Sequence, residues 1–141
     1  MDEDEIFQLI KNCKHLQFNF VGVYAADNFP PKLNSNKFMI VNTSNSNSIG
    51  LHWTFIGKKQ NDVYFADPLG FSLKNYPNIM SRLLNIMTEE IFDASISLQN
   101  KNSELCGLYC IYIAHYFNND KILNIPIIDD LRLLQFVKHM I

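Results

Sequence analysis

Apolar residues in the first third of the chain follow two different spacings. Over residues 4–13 they lie three or four positions apart, which predicts an amphipathic helix. The alternating, aromatic-rich residues 18–24 and the continuous apolar run within residues 37–42 predict two strands. A break at residues 28–31 separates these strands, and the polar residues 43–48 predict a loop after the second one. We therefore expect a helix followed by the first strands of a sheet.

The middle of the chain predicts a β-hairpin. Residues 51–56 and 63–66 have the composition of strands, and the turn-forming residues 57–62 lie between them. Asp67-Pro68-Leu69-Gly70 ends the second strand, as a turn rich in Pro and Gly does. In such a hairpin the end of the second strand lies next to the beginning of the first.

The second half of the chain predicts three helices and one strand. Helical spacing over residues 79–87 and strand composition over 94–98 come first. Residues 106–117 are apolar almost all round, which predicts a helix buried on most of its surface, and residues 129–140 predict a final amphipathic helix. The fold class that follows is α+β, a mostly antiparallel sheet packed around a central buried helix. With no repeat or linker, residues 1–141 are expected to form a single domain, as domains average ~150 residues.

Composition and charge exclude several classes of protein. Hydrophobic residues make up 48% of the chain, enough for a packed core. The net charge of −2 and pI of about 6.0 lack the domain-wide basic character of nucleic-acid-binding proteins. No apolar run approaches the ~18 residues of a membrane span, and the N-terminus is acidic where a signal peptide is basic. We expect a protein made in the cytosol, not secreted and not inserted in a membrane.

Three cysteines in such a chain do not suggest a disulfide framework, so each belongs to the core or to chemistry. Cys106 opens the predicted buried helix, where free N–H groups and the helix dipole favour a thiolate. Taken alone, a cysteine in a helix is more often a small core residue, which is the role expected for Cys13 and Cys110. Cys106, Cys110 and His115 lack the spacing of a zinc site, so no metal centre is expected.

Three polar residues could complete a catalytic site around Cys106. His52 lies on the first strand of the predicted hairpin, and Asp67 directly follows the second. A carboxylate at that place could hold the imidazole in one tautomer and stabilise its protonated form. Gln99, seven residues before Cys106, could supply an amide donor for an oxyanion hole. Taken singly, each has a simpler explanation: an ordinary histidine, a turn aspartate and a loop glutamine.

Together, these residues and their neighbours form a more specific pattern. Four segments, in this order, resemble the adenovirus maturation proteases (adenains): Gly50-Leu51-His52-Trp53, Tyr64-Phe65-Ala66-Asp67-Pro68-Leu69-Gly70-Phe71-Ser72, Gln99, and Cys106-Gly107-Leu108-Tyr109-Cys110. The resemblance spans about residues 20–117. This family shares a clan of cysteine peptidases with the ubiquitin-like-protein proteases, and the order His, Asp, Gln, Cys is that of the clan.

The resemblance implies a cysteine endopeptidase, a thiol protease. It implies that Cys106 is the nucleophile, at the N-terminus of the central helix, and that His52 is the general base. Asp67 would orient the histidine, as Asp does in the ubiquitin-like-protein proteases, whereas adenains commonly have Glu. Gln99 would be the oxyanion donor.

The resemblance also implies how substrate is bound. Trp53 would wall a narrow slot for small residues before the scissile bond, and Gly50 would leave room there for the substrate backbone. The substrates implied are viral capsid and core precursor proteins, cut at Gly-containing sites during virion maturation. The location implied is the host-cell interior and the virion. The compact chain is similar to the proteases of Polinton/Maverick elements and adenovirus-related DNA viruses.

The chemistry itself requires no cofactor, but the resemblance implies activation by a viral peptide or by DNA. In adenains the peptide is tethered through a disulfide to a cysteine upstream of the oxyanion glutamine. This chain has no cysteine between His52 and Cys106, so the tether is not expected. Its net charge of −2 disfavours DNA as an activator.

Two alternatives remain at this stage. One is a protease that removes ubiquitin or a ubiquitin-like modifier, since a slot beside Trp53 also suits a C-terminal Gly-Gly. The other is a binding or structural module that retains the fold without the activity, because fold alone does not determine function. The four filled catalytic-type positions favour an enzyme.

Overall fold

The computed structural model describes residues 1–44, 52–87, 89–100 and 103–141. Within these ranges a five-stranded sheet is flanked by helices on both faces. In chain order the elements are α1 (Glu3–Lys11), β1 (Phe20–Tyr24), β2 (Phe38–Asn42), β3 (Trp53–Lys59), β4 (Asp62–Ala66), a 3₁₀ turn (Leu73–Asn75), α2 (Pro77–Ile86), β5 (Glu90–Asp93), α3 (Cys106–Asn118) and α4 (Asp130–Met140). None of the helices in these ranges is long and apolar enough to cross a lipid bilayer.

The α+β class and the buried central helix are confirmed, but the sheet is mixed. The strand order is β1-β2-β3-β4-β5, in which β2–β3 and β3–β4 are antiparallel while β1–β2 and β4–β5 are parallel. The predicted hairpin is the β3–β4 pair. A parallel pair requires a crossover that returns the chain to the same end of the sheet. Residues 25–37 provide the first crossover and residues 67–87, with α2, belong to the second; strand patterning reveals neither.

The strand predicted over residues 94–98 is wrong, because the fifth strand lies just before it. β5 is a largely exposed edge strand and lacks the apolar alternation that marks a half-buried strand. Residues 94–98 form only an isolated bridge between Ser97 and Leu69. Their apolar members Ala94 and Leu98 are buried in the core from a loop rather than from a strand.

Two apolar layers hold the sheet between them. One face packs against α1, α3 and α4, and the other against α2 and residues 26–33. In β2, Phe38 and Ile40 enter the first layer while Met39 and Val41 enter the second, so the whole strand is buried. This is why residues 38–41 form a continuous apolar run instead of alternating.

The central helix α3 is fixed closely against the sheet and α1. A Cβ atom at Gly57 of β3 would lie 2.8 Å from the ring of Phe117, and one at Gly107 would lie 2.9 Å from Ile6 of α1. Side chains at these two positions would push the helix away. The first turn of α3, which carries Cys106, is therefore held closely against α1, and the last turn is held closely against the sheet. Cys13 and Cys110 are fully buried, which confirms both as core residues.

The remaining helices lie close to their predicted bounds. Asp2 caps α1 by accepting the backbone N–H of Glu5 at 2.9 Å, and Asp129 caps α4 through the backbone N–H of Arg132 at 2.8 Å. Residues 45–48 of the predicted polar loop, Leu51 of the predicted strand, and Gly50 lie outside the described residues.

Candidate active site

Cys106 is the first residue of α3 and faces the end of the sheet where β3 begins. No side chain caps this helix, so its first N–H groups and its dipole act on the thiol. The sulfur accepts hydrogen bonds from the backbone N–H groups of Trp53 and Gly107 and is hydrogen-bonded to the His52 ring. These contacts favour the thiolate form.

His52 directly precedes β3 and lies between Cys106 and a buried carboxylate. Its Nε2 atom lies 2.5 Å from Oδ1 of Asp67, and its side chain is 13% exposed while that of Asp67 is fully buried. Because Asp67 engages Nε2, Nδ1 is the ring nitrogen left for the hydrogen bond with Cys106. The three side chains predicted to act together, Cys106, His52 and Asp67, are thus joined in one chain of hydrogen bonds.

The same contacts shift the pKa values of the pair in opposite directions. Burial alone would lower the pKa of His52, but the hydrogen bonds and negative charges of Asp67 and Cys106 raise it to about 9. Burial alone would raise the pKa of the Cys106 thiol, but hydrogen bonds from His52, Trp53 and Gly107 and the imidazolium charge hold it below its ordinary value. Both pKa shifts act in the direction of a thiolate–imidazolium pair.

Asp67 is positioned by the turn that follows β4. Its Oδ1 also accepts the backbone N–H of Leu69 at 2.9 Å, and the turn closes through the N–H of Gly70 to the Asp67 carbonyl. Gly70 has φ of 85°, and a Cβ atom there would lie 2.9 Å from the backbone N of Ser97. At Gly70, only glycine adopts this backbone conformation without strain and leaves room for the backbone of Ser97.

Sequence reasoning missed Tyr76, which completes the carboxylate's surroundings. Its phenol donates a hydrogen bond of 2.5 Å to Oδ2 of Asp67, and its ring centroid lies 6.3 Å from that of His52. Burial and the Asp67 carboxylate raise the pKa of Tyr76 far above its ordinary value, so the phenol stays a donor. No local pattern singles it out, because the 3₁₀ turn brings it back to Asp67 from nine positions away.

Gln99 lies in the loop that leads into α3. It is 5% exposed, and its side-chain Nε2 donates to the carbonyl of Ser103 at 2.8 Å. Its backbone N–H donates to the Pro68 carbonyl at 2.8 Å, which ties this loop to the turn carrying Asp67. Gln99 is thus held both by the loop that leads into α3 and by the turn that carries Asp67.

Trp53 lies beside Cys106, but its indole ring is covered. The residue is 7% exposed and packs in the α3 layer, and its Nε1 donates to the carbonyl of Met1 at 3.1 Å. Gly50, the other predicted substrate-binding residue, is outside the described residues. In the part of the chain that the structure describes, no three His, Cys, Asp or Glu side chains cluster as metal ligands.

Comparisons with known proteins identify the family of this chain. The sequence profile of the adenovirus endoprotease family matches residues 20–138. The protease of Bovine adenovirus C serotype 10 is 33% identical over 106 residues, which are 64% of this chain and 54% of that protein. The protease of Bovine adenovirus 2 is 32% identical over 131 residues, which are 83% of this chain and 63% of that protein.

A solved structure shares the fold. The crystal structure of the ASFV pS273R protease matches with a TM-score of 0.52 and 12% identity, over 93% of this chain and 66% of that one. The curated relatives are longer proteins, of which the matches span 54% to 64%. The family profile nevertheless covers most of the described fold, including the strands, the turn after β4 and the helix that carries Cys106. This chain belongs to the adenovirus endoprotease family.

Proposed function

We propose that the protein is a cysteine endopeptidase in which Cys106, His52 and Asp67 form the catalytic triad. The observation that carries this proposal is the hydrogen-bonded chain from Cys106 through His52 to the buried Asp67. A thiolate at a helix N-terminus, paired with an imidazolium that a carboxylate holds in place, is an activated nucleophile. Membership of the adenovirus endoprotease family supports the same reaction class.

The reaction proceeds in two steps. The Cys106 thiolate attacks the scissile carbonyl carbon, forming a C–S bond while an electron pair moves to the oxygen. The C–N bond then breaks, and the Nδ1 proton of His52 passes to the leaving amine. Water attacks the resulting thioester and gives a proton to His52, which releases the acid product and restores the thiolate. Asp67 holds the imidazole and stabilises its charged form in both steps.

Gln99 would stabilise the oxyanion together with the backbone N–H of Cys106. Its buried position and its hydrogen bond to Ser103 keep the amide close to the start of α3. We expect Gln99→Ala to lower kcat by about 10²–10³ with KM little changed, as loss of one oxyanion donor does. Steady-state cleavage of a quenched peptide measures this. Asn100→Ala, in the same loop, serves as the control, and equal losses in both variants would contradict the assignment.

The substrates we propose are viral capsid and core precursor proteins, cut at small-residue, Gly-containing sites during virion maturation. The family of the chain supports this class, and the infected-cell interior and the virion are the corresponding locations. Gly50 would border the substrate backbone before the scissile bond. The similarity to compact proteases of Polinton/Maverick elements remains a prediction from the sequence.

No cofactor takes part in the proposed chemistry, because the three side chains supply the nucleophile, the proton transfer and the orienting charge. Activation by a viral peptide or by DNA remains part of the proposal. A peptide would have to bind without a disulfide between His52 and Cys106, since the chain has no cysteine there. The net charge of −2 makes DNA the less favoured activator.

The proposal is tested by cleavage of a quenched peptide library centred on Gly-containing sites, with and without DNA. Cleavage should be lost after treatment with iodoacetamide at neutral pH. It should also decline as the pH rises through about 9, where His52 loses the proton that the leaving amine needs. Cleavage insensitive to iodoacetamide would contradict the proposal. Labelling of Cys106 by a ubiquitin-like-modifier probe, without peptide cleavage, would favour a modifier-specific protease instead.

A further inference from the structure

Asp93, the last residue of the edge strand β5, has an unusual number of hydrogen-bond donors for a surface carboxylate. Its Oδ2 accepts the backbone N–H of Leu73 at 2.8 Å, and its Oδ1 accepts the backbone N–H of Ser95 at 3.0 Å. The hydroxyl groups of Ser95 and Ser72 also hydrogen-bond to it. Although burial alone would raise the pKa of Asp93, these four donors hold it below its ordinary value.

The donors connect Asp93 to both ends of residues 67–76, the segment that carries the carboxylate of the proposed triad. The hydroxyl oxygen of Ser95 accepts the backbone N–H of Asp67 at 3.0 Å, so one serine joins Asp93 to the beginning of this segment. Leu73 begins the 3₁₀ turn that delivers Tyr76 to Asp67 at the other end. The carboxylate of Asp93 is therefore linked to Asp67 through Ser95. It is linked to Tyr76 through the 3₁₀ turn that begins at Leu73.

The parallel pairing of β4 with β5 explains how Asp93 reaches this place. Asp93 pairs with Phe65 of β4, and the next backbone N–H, that of Ala94, donates to the Phe65 carbonyl at 2.7 Å. The carboxylate consequently projects next to the point where β4 ends and the segment 67–76 begins. Within that segment, Ser72 caps the 3₁₀ turn only weakly, through the N–H of Lys74 at 3.3 Å.

We propose that Asp93 is a positioning residue for the triad, which fixes both ends of the segment 67–76 and thereby holds Asp67 and Tyr76 against His52. The proposal rests on the proposed function, because it assigns the residue a role in organising that same site. Asp93 touches no reacting atom and acts through Asp67 and Tyr76 alone.

The matched variants are Asp93→Asn and, as control, Glu90→Gln on the exposed part of the same strand. Asparagine has one acceptor oxygen where aspartate has two, so its NH₂ group must face the N–H of either Leu73 or Ser95. We expect kcat for peptide cleavage to fall about tenfold in Asp93→Asn, with KM within about twofold of wild type. Glu90→Gln should match the wild type.

A second measurement separates positioning from a merely structural role. The pH dependence of Cys106 alkylation by iodoacetamide reports the thiolate–imidazolium pair and needs no peptide substrate. We expect the alkylation profile to move to higher pH in Asp93→Asn, and in the same direction in Ser95→Ala, which removes the link to Asp67. A profile that stays in place in both variants would overturn the proposal, whether or not the melting temperature falls.

The same assay distinguishes failure of this proposal from failure of the proposed function. If wild-type Cys106 alkylates rapidly at neutral pH but no peptide is cleaved, the peptidase assignment fails while the profile of Asp93→Asn still decides the role of Asp93. If wild-type Cys106 alkylates like an ordinary thiol, the triad itself is absent and the role of Asp93 is refuted with it.

Discussion

Cys106→Ala is expected to abolish peptide-bond cleavage, because a methyl group cannot attack the carbonyl carbon or carry the acyl group as a thioester. In the proposed mechanism neither His52 nor Asp67 can replace it, since His52 would only transfer protons and Asp67 is buried behind the imidazole. Cleavage of a quenched peptide by the purified variant should stay at the level of the buffer blank. The fold should survive, because alanine at this position removes a single sulfur atom from a helix that α1 and the sheet already fix.

Cys110→Ala is the matched control, since Cys110 lies one turn further along the same helix. Its thiol donates to the Trp53 carbonyl at 3.3 Å and is fully buried, and burial raises its pKa well above the ordinary value. The substitution should cost about 1 kcal/mol of stability, from one buried heavy atom, and leave cleavage intact. Activity retained in Cys106→Ala, or lost equally in both variants, would show that the nucleophile is misassigned.

Asp67→Asn is expected to lower kcat by about 10⁴, the second-largest effect among these variants. The substitution preserves shape but removes the buried negative charge that keeps His52 protonated. Asparagine also offers one acceptor oxygen to three donors, which come from His52, Leu69 and Tyr76. The imidazole then loses its fixed tautomer, and the Cys106 thiol loses the ion pair that activates it.

Two measurements check the role of Asp67. The alkylation profile of Cys106 should move toward that of an ordinary thiol, because the pKa of the thiol rises when His52 is no longer held charged. Steady-state kinetics should show the loss in kcat rather than in KM. Asp62→Asn, at the opposite end of β4, controls for replacing a carboxylate in this strand. A rate for Asp67→Asn near that of wild type would refute the orienting role.

The sequence predicts correctly those elements whose pattern lies within one continuous stretch of residues. The apolar run over residues 106–117 predicts α3 correctly, because a helix buried all round leaves a continuous local pattern. The β3–β4 hairpin is predicted for the same reason, since its strands and turn are contiguous. The pairing of His52 with Asp67 follows from this hairpin, with the family resemblance supporting it.

The parts that sequence reasoning missed depend on contacts between distant segments. β5 carries no apolar alternation because it lies exposed at the sheet edge, and its parallel pairing depends on the crossover through α2. Tyr76 and Asp93 are ordinary residues in their own neighbourhoods. They come close to Asp67 only in the folded chain, where the 3₁₀ turn and the end of β5 both lie next to the turn that follows β4.

Trp53 shows a different limit of reasoning from a motif. The resemblance assigns its ring to the wall of a substrate slot, whereas the structure packs the ring in the α3 layer with its N–H on the Met1 carbonyl. The family motif predicts the position of Trp53 along the chain but not the contacts of its ring. The neighbouring N-terminal residues, which the motif does not include, decide which atoms of the side chain stay accessible.

That contact has a practical consequence for handling the protein. Any affinity tag or fusion partner joined ahead of Met1 would be attached to the residue whose carbonyl lies 3.1 Å from Nε1 of Trp53 and whose sulfur lies next to Gly107 in the first turn of α3. Ile141, by contrast, is 59% exposed beyond the end of α4. Purification tags should therefore be joined after Ile141. Comparisons of catalytic rates between preparations should use one common, untagged N-terminus.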